Sequence, residues 1–150
     1  MESNLDEKDW KIIDILQEHS DYTTRKIAKK TNLPQTTVHN RIVKLRKEGI
    51  IEKFTIKLNP EKIGKSFAVQ MLVSVDYDLL KRQKRTQHDL ANEIKKMPEI
   101  ERVDIITGDV ALLVRARLKD VKEFDQFLLT KFQKIAGITH TRSLVIIHET

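Results

Sequence analysis

There is no cysteine in this 150-residue sequence. Disulfides, thiolate zinc sites and thiol nucleophiles are therefore excluded, and an intracellular, cytoplasmic protein is expected. No apolar run approaches the ~20 residues that a helical membrane span needs. The opening MESNLDEKDW is acidic and has no apolar core, so a signal peptide is not expected. His19, His39, His88, His140 and His148 show no ligand spacing, and no metal or cofactor is expected. No Ser-His-Asp set or paired carboxylates stand out, so nothing points to an enzyme.

The most informative absence is local. Tyr22 to Lys47 contains no Asp or Glu but eight Lys or Arg, whereas Met1 to Asp21 holds seven acids and two bases. The whole chain is charged +6, with 33% charged and 39% hydrophobic residues, as befits a globular protein. A solvated surface mixes signs. A one-signed block beside an acidic one suits a face built for phosphates.

That block splits into two helical patterns. Thr23 or Thr24 can cap the first, since a hydroxyl there accepts from an orphan backbone N–H. Ile27 and Ala28 supply its apolar side, and Thr31-Asn32-Leu33 interrupts it. Pro34 suits the first turn of a second helix, where its missing N–H costs nothing. Val38, Ile42 and Leu45 form one buried stripe there, opposite Thr36, Asn40, Val43 and Lys47. A short helix, a tight turn and a longer helix with a polar, basic outer face read as a helix-turn-helix. Its second helix suits a DNA major groove.

The flanking elements complete a small domain. Asp6 can cap a first helix, with Asp9 three residues on and Ile12, Ile13 and Leu16 inward. Trp10 and Ile15 lie off that face, as core or as contacts to a second chain. Gly49 ends the recognition helix. Ile51 to Leu58 alternates, with Phe54, Ile56 and Leu58 on one side, and is expected to form a wing strand. Residues 1–58 are thus read as a winged helix-turn-helix domain and 59–65 as a linker.

Residues 66–150 change character. A strand is expected over 67–75, then a charged loop with Lys81, Arg82, Lys84 and Arg85. A helix over 87–97, strands over 103–107 and 111–118, a helix capped by Asp120 and running to Ile135, and a strand over 139–148 follow. The last helix should bury Val121, Phe124 and Leu128. The order strand, helix, strand, strand, helix, strand is that of a ferredoxin-like βαββαβ domain, so the class is α+β. One sheet face stays open, with Leu72, Leu113, Val145 and Ile147 on it, which suggests oligomerisation through the sheet.

On the recognition helix, Gln35, Thr36, Thr37, His39 and Asn40 are the candidate base contacts. Gln and Asn can pair with adenine, and Thr methyls can touch thymine. Val43 suits either a thymine methyl or packing against the wing. Arg25, Lys26, Lys29, Lys30, Arg41, Lys44, Arg46, Lys47, Lys53 and Lys57 are candidate phosphate contacts, which give affinity without sequence choice. Two roles are open to Arg41: a phosphate contact, or a brace to an acid such as Asp14. The alternative, an RNA-binding protein using its sheet, needs stacking aromatics. Strands 103–107 and 111–118 contain none.

With both halves described, the chain resembles the Lrp/AsnC family of transcription regulators. The likeness is carried by Leu5-Asp6 and Asp9, then Ile27-Ala28, Leu33, Val38, Arg41-Ile42, Leu45 and Gly49-Ile50-Ile51. In the second half it rests on Pro98 with Ile100, Gly108-Asp109, and Gly137-Ile138 before Thr139 and Thr141. The resemblance implies a sequence-specific regulator bound to double-stranded DNA. It implies homodimers through the second domain, often assembled into octamers, and an amino-acid effector held near the Gly-Asp turn. On that implication Thr107, Gly108, Asp109, Thr139 and Thr141 are candidate effector-binding residues, although turn and strand-pairing roles suit them equally. The chain departs from the family's habit at Pro34, where serine is frequent, and at Val110-Ala111, where an aromatic is frequent.

Overall fold

The computed structural model describes residues 5–149. The chain divides into two compact units, Met1–Lys57 and Leu58–Thr150.

The first unit is built of three helices, α1 (Glu7–Glu18), α2 (Thr24–Thr31) and α3 (Gln35–Lys47). Asp6 caps α1 in a reciprocal box. Its carboxylate accepts from the Asp9 N–H at 2.9 Å, while the Asp9 carboxylate accepts from the Asp6 N–H at 3.1 Å. Ile12, Leu16, Ile27, Ala28 and Val38 form the core, and Ile15, Tyr22, Leu33, Ile42 and Ile51 pack around it. Fully burying an Ile, Val or Leu contributes roughly 1.5–3 kcal/mol each, which holds three short helices that would not persist alone. Trp10 is exposed, so it is not core.

The expected wing strand does not form. Residues 52–58 belong to no strand, and Phe54, Ile56 and Leu58 are 44%, 77% and 54% exposed. Alternation favours a strand, yet a strand exists only when its N–H and C=O groups meet a neighbour's. Among the described residues this unit contains only helices, so no strand is there to supply that ladder.

The second unit follows β1 (Phe67–Val75), α4 (Tyr77–Arg82), α5 (Gln87–Lys95), β2 (Ile100–Ile105), β3 (Leu112–Leu118), α6 (Val121–Thr130) and β4 (Ile138–Ile146). The antiparallel sheet has the order β2-β3-β1-β4. Val69, Met71 and Val73 sit opposite Ala116, Val114 and Leu112, all fully buried, and define the core face. Leu90, Ile94, Phe124, Phe127 and Phe132 cover that face.

Four expectations change here. The charged loop contains the extra helix α4, capped by Asp76. The strand expected over 103–107 lies earlier, at Ile100–Ile105, with a bulge between Ile100 and Arg102. The last helix stops at Thr130, whose hydroxyl donates back to the Gln126 carbonyl at 2.7 Å; a 3-10 turn at Phe132–Lys134 follows. Val121 is 64% exposed, because the buried register runs through Phe124 and Phe127 and Val121 protrudes a turn earlier.

Residues directly opposed in an antiparallel pair share a face. The open face therefore carries Gln70 and Leu72, opposed to Arg115 and Leu113 on one side and to Leu144 and Arg142 on the other, with Ile146 opposed to Ala68. Val145 is opposed to core-facing Val69, and Ile147 lies past the strand. The open-face apolar residues are thus Leu72, Leu113, Leu144 and Ile146, not Val145 and Ile147.

Candidate nucleic-acid interface

The two basic helices are set by local chemistry. Thr23 is the cap of α2; its hydroxyl accepts from the Lys26 N–H at 3.2 Å. Asn32 ends α2 at φ 55°, a left-handed conformation that Asn tolerates. Pro34 then launches α3, and no side chain caps that helix. Inward, Val38 and Leu45 are fully buried. Outward, Thr36, Asn40, Val43 and Lys47 recur at helical spacing and all face solvent. Val43 is 50% exposed and packs against no wing.

The five candidate base contacts are not equivalent. Thr36, His39 and Asn40 are exposed, whereas Thr37 is half-buried. The Gln35 amide donates to the Thr24 hydroxyl at 3.3 Å, tying the start of α3 to the start of α2.

The cations also separate. Arg25, Lys29, Lys47, Lys53 and Lys57 are exposed and enter no ion pair among the described residues. Lys26 lies 3.5 Å from the Tyr22 ring centroid, and His19 stacks on that ring at 4.3 Å. Lys30 is 5.9 Å from the same ring. Arg46 is 5.9 Å from the Phe54 centroid, and Lys44 is 3.9 Å from the Glu48 carboxylate. Tyr22 stands before the Thr23 cap and outside α2, so helical spacing gave no sequence signal for this platform.

Of the two roles open to Arg41, the structure fills the brace, with Asp6 and Asp9 in place of Asp14. Its Nη1 donates to Asp6 at 2.8 Å and to Asp9 at 2.7 Å. The Asp9 side chain is only 2% exposed and that of Arg41 23%. Hydrogen bonds first to Asp9 and then to Asp6 raise the Arg41 pKa above its ordinary value. The recognition helix is thus bolted to the start of α1.

A groove of about 800 Å³ in the same unit lies between Ile13, Leu16 and Gln17 of α1 and Ile51, Phe54 and Ile56. None of the candidate base contacts lines it.

In the second unit the sheet register collects the candidate effector residues at one end. The Ala111 N–H donates to the Val73 carbonyl at 2.9 Å, and Val73 is opposed to Thr141. The 107–110 turn and the start of β4 therefore flank the end of β1, roughly 10 Å apart at two strand spacings. Thr107, Gly108, Asp109 and Thr139 are exposed. The Thr141 hydroxyl is buried with no hydrogen-bond partner. Gly108 has φ 132°, a conformation closed to other residues, so backbone geometry alone accounts for it. Among the described residues, no group of three His, Asp or Glu side chains is arranged to hold a metal.

A family model described as winged helix-turn-helix DNA-binding matches residues 5–52, and one described as Lrp/AsnC ligand binding domain matches residues 70–150. The chain belongs to the Lrp/AsnC family. This Lrp/AsnC chain is similar to the HTH-type transcriptional regulator FL11 of Pyrococcus furiosus, 35% identical over 98% of this chain and 92% of that one. The FL11 protein of Pyrococcus horikoshii is 37% identical over 95% of this chain and 89% of that one. A Neisseria meningitidis transcriptional regulator in complex with L-Met has a similar structure, with TM-score 0.88 and 25% identity over 97% of this chain and 92% of that one. Escherichia coli AsnC shares the fold, with TM-score 0.85 at 18% identity over 98% and 95%. As an Lrp/AsnC protein the chain is a DNA-binding transcription regulator. Among the described residues, no helix is long and apolar enough to cross a membrane.

Proposed function

We propose that α3 lies in the major groove of double-stranded DNA, with Thr36, His39 and Asn40 reading base edges. Thr37 contributes at the margin. Gln35 joins only if it releases Thr24. Arg25, Lys26, Lys44, Lys47, Lys53 and Lys57 meet phosphates, while Arg41 holds α3 at its angle to α1 through Asp6 and Asp9. One observation carries this reading: a stripe of exposed amide, hydroxyl and imidazole groups is framed by exposed cations, of which Arg25, Lys47, Lys53 and Lys57 have no carboxylate partner among the described residues. Residues 66–150 form the effector-binding and oligomerisation domain, joined by 59–65, and the protein works in the cytoplasm.

The effector is an α-amino acid. The ligand-binding family match and the L-Met complex of the Neisseria meningitidis neighbour support this class. So does the Thr141 hydroxyl, which is buried with no hydrogen-bond partner among the described residues. The open sheet face with Leu72, Leu113, Leu144 and Ile146 supports a homodimer, the unit from which an octamer is built. That face carries no aromatic among these positions, which argues against an RNA-stacking surface.

Selection from a randomised duplex pool, repeated with each of the common amino acids, tests the reading. A defined operator whose recovery changes with one amino acid is expected. Recovery of no sequence above the pool, or preference for single-stranded RNA, would overturn it.

A further inference from the structure

The structure holds a second cationic feature that the recognition helix does not use. Residues 81–85, Lys-Arg-Gln-Lys-Arg, run from the last turn of α4 into its connection to α5 in the second unit. Arg85 is committed: it pairs with Glu93 and donates to the Ala136 carbonyl. Lys81, Arg82 and Lys84 are exposed and enter no ion pair among the described residues. The other charge on α4 is Asp78, one turn before Arg82, and Asp76 is occupied as the helix cap.

Lys84 adds an independent observation. Its N–H donates to the Lys81 carbonyl at 3.0 Å, and the Arg85 N–H donates to the Leu80 carbonyl at 2.9 Å. This closes α4 in the pattern whose left-handed position favours glycine. Lys84 occupies that position at φ 54°. A β-carbon there is strained, so the fold gains nothing from a lysine at this place. Backbone strain of this kind clusters at functional positions.

We propose that Lys81, Arg82 and Lys84 form a second phosphate contact, made with the DNA backbone beyond the bases read by α3. A chain already held on a duplex by α3 presents its other cations to phosphates at an effective concentration of about millimolar. Three free cations then add affinity, whereas a separate acidic partner would have to be bound from solution. The inference rests on the reading of α3 as the element that holds the duplex.

The test uses the full-length protein, a Lys81→Ala/Arg82→Ala/Lys84→Ala variant, and the selected operator. The operator is offered bare or extended by arbitrary sequence at both ends. Wild type should bind the extended duplex more tightly. The triple variant should keep its affinity for the bare operator, lose that gain, and show a salt slope lower by up to about 0.9 per contact removed. An equal gain for both proteins overturns the inference while leaving α3 intact. Failure of wild type on the bare operator sinks the α3 reading, and this one with it. Lys84→Gly should raise Tm by a few degrees and give up part of the gain. A Lys84→Gly protein with higher Tm and an undiminished gain overturns the proposal. Binding of wild type but not the triple variant to anionic vesicles, with no effect of duplex length, also overturns it.

Discussion

The arginines of β2 and β3 and the cations on the outer side of α2 and α3 are treated in opposite ways. On the open sheet face every arginine of β2 and β3 is already neutralised. Arg102 meets Asp104 at 2.7 Å, and Arg115 and Arg117 each meet both Glu101 and Glu149. On α2 and the outer side of α3, Arg25, Lys29 and Lys47 have no carboxylate partner among the described residues. A cation meant for a phosphate is stronger as a ligand when no acid competes for it. A cation that is to be covered is cheaper to desolvate when already paired. Arg41 marks the border, because it lies on the recognition helix but is paired and three-quarters covered.

That contrast can be broken most strongly at Arg41. Arg41→Ala leaves the Asp9 carboxylate buried without its cation and should destabilise the first unit by about 3 kcal/mol, read by thermal unfolding. Arg117→Met should cost only about 1 kcal/mol, since Glu101 and Glu149 are each over a third exposed and keep Arg115. Equal losses at the two sites would erase the distinction between them.

Neutral polar groups extend the comparison. Thr141→Val replaces a buried hydroxyl without a partner by a group of the same shape. It should stabilise the ligand-free protein by about 1 kcal/mol and abolish its response to the amino acid. A loss of stability would mean that the hydroxyl is satisfied in solution.

The smallest effect concerns pH. The Asp9 backbone N–H first, and the Arg41 side chain next, hold the Asp6 carboxyl below its ordinary range. Its folded pKa lies below the unfolded value, so this stabilisation is complete above about pH 4 and is lost as pH falls through the folded value. Asp6→Asn should therefore lower stability at neutral pH and flatten the decline in acid, followed by denaturant unfolding. An unchanged acid limb would remove Asp6 from the account.

Features written locally were legible in the sequence. Asp6 with Asp9, Thr23, Asn32 and Gly49 announce helix ends through their own hydrogen bonds or left-handed backbone, and each does so in the structure. The strand–helix order of the second unit was legible for the same reason. What depended on a partner was not. Residues 52–58 have the alternation of a strand but no neighbour to make them one. Arg41 announced a bracing role but not which acid it would reach. The six-residue α4 was hidden because it buries only Leu80, too little for a period to register. The open face was misassigned by one residue on β4, since edge-strand exposure leaves Leu144 and Val145 similar in apolar character.

The central claim is that α3 reads bases through neutral groups and holds phosphates through unpaired cations. Affinity of Asn40→Ala and Lys47→Ala for the selected operator and a scrambled duplex, measured across salt, tests it most directly. Asn40→Ala should lose about 1–3 kcal/mol on the operator alone, while Lys47→Ala should weaken both duplexes alike and lower the salt slope by about one unit. Two variants with the same loss on both duplexes, or with none, would contradict the account.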